Sequence, residues 1–255
     1  MRSKIVISFL MIGSILLSSC SFNDNKVKHV EAEIVEEYPL INNSFVQGLE
    51  YDNDGSLLLS NGKYGDSELI RFTPGYTNIS QKIDLDDTYF GEGLTVVNDK
   101  IYQLTWKENT VFVYDKNTFK KLDSYHLDGE GWGVCSHKNN LIVSNGSNKL
   151  QFFDSNDFHK VKDDLPVTYN GKELKGLNEL ECVNNKIYAN VLGDNNIYRI
   201  DSTTGEVDLV VNTNKIDKSD YKNPNDVLNG IAHVPDSDDL IVTGKNWHSL
   251  YKIRI

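Results

Sequence analysis

Three shortages narrow what this chain does. Cysteine is scarce, with Cys20, Cys135 and Cys182 the only three in 255 residues, and their spacing matches no structural or catalytic metal site. Cys135 and Cys182 each lie in an apolar, strand-like run, so two buried free thiols are expected rather than a disulfide. Basic residues are outnumbered, 26 Lys and Arg against 37 Asp and Glu, for a formal net charge of −11. That balance argues against a nucleic-acid partner, because a phosphate backbone needs a basic face. The third shortage is of membrane-spanning length: the apolar run I-V-I-S-F-L-M-I-G-S-I-L-L at the N-terminus is too short for an ordinary spanning helix.

That run has a different use. Arg2 and Lys4 precede it and L-S-S-C follows, the arrangement of a secretory signal. The L-S-S-C end resembles a bacterial lipobox, which implies a signal over residues 1–19 and lipidation of Cys20; the other reading is a plain signal peptide cleaved elsewhere. The polar stretch after Cys20 has no periodicity, and residues 20–28 are expected to tether the anchor to a folded domain over 29–255. Loss of Arg2 and Lys4 takes the net charge from −11 to −13. The expected location is the bacterial cell envelope, on the periplasmic side or facing the outer membrane, anchored without spanning.

The rest of the chain repeats. Five segments align: Q-G-L-E-Y-D-N-D-G-S-L-L-L-S-N-G from Gln47, E-G-L-T-V-V-N-D-K-I-Y-Q-L-T-W from Glu92, W-G-V-C-S-H-K-N-N-L-I-V-S-N-G from Trp132, N-E-L-E-C-V-N-N-K-I-Y-A-N-V-L from Asn178 and N-G-I-A-H-V-P-D-S-D-D-L-I-V-T-G-K from Asn229. Each reads as strand, polar turn, strand, followed by a third strand such as T-V-F-V-Y-D-K. Four of the five continue into a further strand: Q-K-I-D-L, L-D-S-Y-H-L, D-L-P-V-T-Y and V-D-L-V-V. Starts separated by 45, 40, 46 and 51 residues, with four strands each, predict an all-β, five-bladed propeller. The fifth unit ends after three strands, and E-A-E-I-V-E-E-Y-P-L from Glu31 is expected to close the ring as its outer strand. A β-sandwich and a six-bladed ring are the competing architectures.

In a propeller the first strands of the blades line a central channel, so equivalent positions converge. The opening residues Gln47, Glu92, Trp132, Asn178 and Asn229 form one such ring. Asn61, Trp106, Gly146 and Leu192 stand fourteen residues further on, with Lys245 their counterpart in the fifth unit, and hairpin pairing returns them to the same mouth. A carboxylate, an ammonium, amides and indoles together compose a pocket for a small polar ligand. The glycines flanking Glu92 are expected to leave room for a substrate's backbone.

The motifs F-V-Q-G-L-E-Y, Y-F-G-E-G-L-T, Q-L-T-W-K-E, G-E-G-W-G-V, L-N-E-L-E, V-L-N-G-I-A and V-T-G-K-N-W, in that order, resemble the plant and bacterial type of glutaminyl-peptide cyclotransferase. The resemblance implies a five-bladed propeller enzyme that converts an N-terminal glutamine of a peptide or protein into pyroglutamate with release of ammonia, without cofactor or catalytic metal, and a monomer is expected. It also implies Glu92 as acid/base, Gln47, Asn178 and Lys245 as polar contacts and Trp106 and Trp132 as aromatic walls. Taken with the repeat alignment, Glu92, Lys245 and Asn178 are the expected catalytic residues and Gln47, Trp106, Trp132, Asn229, Leu192 and Phe45 the expected substrate-binding ones. One position departs: where the family reads A-N-V-W or A-N-I-W, this chain has A-N-V-L, and Leu192 replaces an indole.

The chemistry fits one acid. The α-amine attacks the γ-carboxamide carbon of its own residue, so the enzyme needs to curl one side chain into a near-attack conformer. The amine loses a proton and the leaving nitrogen gains one, and a carboxylate between them serves both transfers. Lys245 and Asn178 are candidates to hold the developing oxyanion, Gln47 to hold the amide or the peptide carbonyl. A nearby lysine is expected to favour ionised Glu92. Two other functions stay open: a non-catalytic, lipid-anchored binding propeller, and a metal-dependent hydrolase or lactonase that adds Glu50, Glu179 or Glu181 to Glu92 as ligands.

Overall fold

The polar turns of the repeat are tight reversals. Asn98, Lys138 and Asn184 take left-handed φ of 55°, 57° and 52°, and each opens a two-residue connection between paired strands. Asn adopts that conformation more readily than most residues, which is why the turns read clearly in the sequence. A computed structural model describes residues 26–255 apart from 42, 43, 77, 217 and 219; the expected signal and Cys20 lie outside the described residues.

Every regular element among them is a strand. Ahead of the ring come β1 (Lys28–Glu31) and β2 (Glu33–Pro39). Blade 1 is β3 (Val46–Tyr51), β4 (Leu57–Asn61), β5 (Glu68–Phe72) and β6 (Ile79–Asp84); blade 2 is β7 (Gly91–Val97), β8 (Lys100–Thr105), β9 (Thr110–Asp115) and β10 (Lys121–His126). Blade 3 is β11 (Val134–His137), β12 (Asn140–Val143), β13 (Lys149–Asp154) and β14 (Leu165–Pro166), followed by a small hairpin of β15 (Thr168–Tyr169) and β16 (Lys172–Glu173). Blade 4 is β17 (Leu177–Val183), β18 (Lys186–Val191), β19 (Asn196–Asp201) and β20 (Val207–Asn212); blade 5 holds β21 (Leu228–His233), β22 (Asp239–Gly244) and β23 (Ser249–Arg254).

Burial grades outward along each blade. Residues of β4 are buried on both faces, as a strand packed between neighbouring blades requires, whereas β6 alternates half-buried and exposed. Five apolar clusters fill the five junctions between blades. The one formed by Leu49, Leu57 and Ile70 with Ala232, Ile241 and Leu250 joins the first blade to the last and so closes the ring.

The expected closing strand is there: β2 pairs antiparallel with β23, from Glu33 opposite Arg254 to Pro39 opposite Ser249. The sequence did not signal β1, which adds in parallel to β20 and covers the outer edge of blade 4. D-L-P-V-T-Y is not one strand. β14 ends at Pro166, Val167 N–H still donates to the Asn148 carbonyl of blade 3, and Thr168, whose N–H donates to the Gly205 carbonyl of blade 4, starts the separate hairpin.

Cys135 and Cys182 are not free thiols but a disulfide, which corrects the expectation from sequence. They lie on β11 and β17, the facing inner strands of blades 3 and 4, with Cα atoms 5.4 Å apart. An apolar context marks a buried cysteine equally well whether it is free or bridged. Their separation of 47 residues, close to one repeat period, places them at adjoining positions on neighbouring blades.

Candidate active site

The ring of opening residues owes its aim to β-bulges. In four blades the register between first and second strands shifts at the opening residue: between Val46 and Gly48, Gly91 and Leu94, Leu177 and Leu180, and Leu228 and Ile231. Gln47, Glu92, Asn178 and Asn229 sit in these irregularities, which take a side chain out of strict in-out alternation. In blade 3 the irregularity lies just ahead of β11: Trp132 N–H donates to the Ser144 carbonyl while Ser144 N–H donates to the Gly133 carbonyl, so two residues again oppose one.

The glycines serve the ring rather than a substrate. A Cβ on Gly48 would lie 2.5 Å from the Leu94 nitrogen, and one on Gly93 would lie 2.7 Å from Gly133 Cα. Backbones of successive blades therefore occupy the space that the flanking glycines leave, which corrects the expectation of room for a substrate backbone there.

A cavity of about 320 Å³ opens at this end, lined by Phe45, Gln47, Lys63, Phe90, Glu92, Trp106, Trp132, Asn178, Leu192, Asn225 and Lys245. Eight residues expected from sequence meet in it: Phe45, Gln47, Glu92, Trp106, Trp132, Asn178, Leu192 and Lys245. Asn229 does not line it. It is fully buried behind Gln47, donating from Nδ2 to the Val46 carbonyl (2.9 Å) and to Gln47 Oε1 (3.3 Å). Gln47 in turn donates from Nε2 to Glu92 Oε1 at 3.0 Å. Amides from blades 5 and 1 thus relay to the carboxylate of blade 2 and hold it in one orientation.

Lys245 is only 7% exposed, so it is not a solvated surface lysine. The turn after β22 carries it: its N–H donates to the Val227 carbonyl, Asn246 N–H donates to the Ser44 carbonyl, and the buried Trp247 ring packs against Gly244. Its ammonium lies 5.0 Å from the Phe45 ring centroid and forms no ion pair among the described residues. Asn178 is buried with no hydrogen-bond partner for Oδ1 among those residues, so its side chain is not committed to the scaffold.

Burial dominates the electrostatics. It pushes the Glu92 carboxyl well above the ordinary carboxylate range; Lys245 pulls it back, and Glu130 and Glu108 push it further up. The expectation that lysine favours the ionised acid holds in sign, but burial outweighs it. Burial also pushes Lys245 down, with Glu92 opposing. Among the described lining residues Glu92 is the one carboxylate. Glu50, Glu179 and Glu181 do not join it. Glu179 accepts the Leu49 and Ile231 N–H groups at 3.4 and 2.9 Å, tying blade 4 to blades 1 and 5, and Glu50 accepts the Thr95 hydroxyl at 3.1 Å.

Sequence reasoning missed three lining residues, Lys63, Phe90 and Asn225. Phe90 directly precedes Gly91 in Y-F-G-E-G-L-T, and its ring meets Trp106 edge-on at 5.5 Å. Lys63 and Asn225 are exposed loop residues outside the repeat alignment, and no periodic signal points to them.

A family model described as "Glutamine cyclotransferase" matches residues 6–255. The chain is 36% identical over 261 residues to a glutaminyl-peptide cyclotransferase of Arabidopsis thaliana, covering all of this chain and 81% of that one. The crystal structure of Myxococcus xanthus glutaminyl cyclase superposes with a TM-score of 0.84 at 31% identity, covering 90% of this chain and 98% of the other. A more distant likeness, to Kuenenia stuttgartiensis hydrazine synthase, has a TM-score of 0.51 at 14% identity over 80% of this chain and 57% of that one, and shows the fold alone.

Proposed function

Since this chain belongs to the glutamine cyclotransferase family, we propose that it is a glutaminyl-peptide cyclotransferase acting on peptides or proteins with an N-terminal glutamine, with Glu92 as its single acid/base. The observation that carries the mechanism is the Asn229–Gln47–Glu92 relay at the base of a cavity walled by Trp106 and Trp132.

A carboxyl held above the ordinary carboxylate range by burial serves both halves of the reaction. It takes a proton from the attacking amine, then gives one to the departing nitrogen. The bond formed joins the α-nitrogen to the carboxamide carbon, Cδ; the bond broken is that between Cδ and the amide nitrogen, which leaves as ammonia. Lys245 and the uncommitted Asn178 side chain are the donors nearest to hand for the oxyanion. A divalent cation is served by several oxygen ligands, and Glu92 being the single carboxylate among the described lining residues supports a metal-independent route.

The L-S-S-C motif supports export with lipidation at Cys20, and the Cys135–Cys182 bridge suits an oxidising compartment such as the bacterial envelope. The test is ammonia release from Gln-initiated dipeptides by wild type, Glu92→Gln and Lys245→Ala, with and without chelator. Glu92→Gln is expected to lose about 10²-fold or more in kcat, with the wild type indifferent to chelator. No release from wild type across several second residues would leave a binding propeller instead.

A further inference from the structure

Glu130 belongs to the linker between β10 and β11, in the G-E-G-W-G-V motif, and the chemistry above gives it no part. Its Oε2 accepts the indole N–H of Trp106 and that of Trp132, each at 2.9 Å. The two indoles come from different blades: Trp106 follows β8 and Trp132 precedes β11. One carboxylate oxygen has lone pairs for two donors, and charge-assisted bonds are the stronger kind.

The linker is fixed on both sides of the acid. Gly131 N–H donates to the Trp106 carbonyl at 3.1 Å, and Trp132 N–H donates to the Ser144 carbonyl at 3.0 Å. A Cβ on Gly131 would lie 3.0 Å from the Thr105 carbonyl oxygen, and the Trp132 ring lies against Gly146. Glu108 braces the neighbouring stretch of wall in the same way, accepting the Tyr64 hydroxyl on Oε1 at 2.8 Å and the Phe90 N–H on Oε2 at 3.2 Å.

We propose that Glu130 is a positioning residue: by gathering both indole N–H groups on one oxygen it fixes the angle between the Trp106 and Trp132 walls and so sets the curl imposed on the glutamine side chain. The inference rests on the cyclotransferase reading for its substrate, though not for the clamp itself. Occupying the N–H groups has a second effect. Only the apolar faces remain for the substrate, whereas a free indole N–H would bond the γ-carboxamide oxygen and hold an extended, unreactive conformer. Loss of the clamp therefore falls on kcat more than on KM.

The test separates reach from charge. Glu130→Gln keeps an acceptor oxygen at the same distance without the charge; Glu130→Asp keeps the charge but withdraws the oxygen by one methylene; Glu130→Ala removes both. Each variant is compared in the full-length chain on the plateau of its own pH profile, because Gln and Ala also remove a charge that raises Glu92. Asp and Ala are expected to lower kcat by about 10-fold or more with KM within about 3-fold, and Gln to stay within about 3-fold of wild type. The chain has three tryptophans, so ¹⁵N spectra of the indole N–H groups give a readout independent of activity. The Trp106 and Trp132 N–H groups should shift and exchange faster with solvent in Asp and Ala, and in Gln should shift with the lost charge but stay protected from exchange, with Trp247 unchanged. If Ala does not fold, Asp against Gln decides. Unmoved indole signals in Asp, equal losses in Asp and Gln, or a loss confined to KM would each overturn the proposal. A wild type that releases no ammonia, with the indole signals behaving as described, would instead overturn the assigned reaction.

Discussion

Glu92 is buried yet titratable, and the groups around it make its titration measurable. An acid whose pKa is raised is still protonated at pH values where an exposed Glu is already ionised. If the ionised form must accept the amine's proton, kcat/KM falls as pH drops through that raised value. The acid limb of the profile is therefore expected above 4.5, the ordinary value for Glu, and not at it. Lys245 pulls the Glu92 pKa down, so Lys245→Met should move the limb to higher pH while lowering the rate. A limb that stayed at the ordinary Glu value in wild type, or moved downward in the variant, would contradict the assignment. Much of this was legible: Glu92, Lys245 and both indoles came from the repeat alignment and the family motifs. Glu130 and Glu108 were not, because each acts through side-chain bonds to residues 2 to 44 positions away, which no spacing rule connects.

The two N-terminal strands do different jobs. β2 supplies the fourth strand of blade 5, and without it β23 becomes an open edge free to pair with another chain. β1 only widens the already four-stranded blade 4. A chain starting at Ala32 is expected to keep the oligomeric state and the activity of its parent. One starting at Ile41 should aggregate or fail to fold, as size-exclusion chromatography and a thermal melt would show. Equal behaviour of the two truncations would mean that β2 does not close the ring. Strand existence was plain from the alternation of apolar residues, but the bulges were not. A bulge is a mismatch between two strands, and its only trace within one of them is the small or polar residue beside the opening position, as at Gly48, Gly93 and Gly230.

Ring closure depends on apolar burial between the first and last blades, and the disulfide adds a covalent tie between the third and fourth. Replacing Cys135 and Cys182 together by Ala, which frees a loop spanning 47 residues, is expected to cost about 2–4 kcal/mol of stability. Neither cysteine lines the cavity, so kcat should be unchanged. A matching melt for variant and parent would show that the bridge adds nothing, and a fall in kcat would show that it reaches the site. The sequence by itself determined the number of blades, the strand that completes the last one and most of the cavity wall, because these follow from a period and from equivalent positions within it. Tertiary structure alone decided that Cys135 and Cys182 join, that the glycines beside Glu92 admit the next blade's backbone, that Asn229 stands behind Gln47, and that one oxygen of Glu130 holds two indoles. Each of these is a contact between blades, fixed by register and twist to within an ångström, whereas a repeat period fixes position only to within a residue.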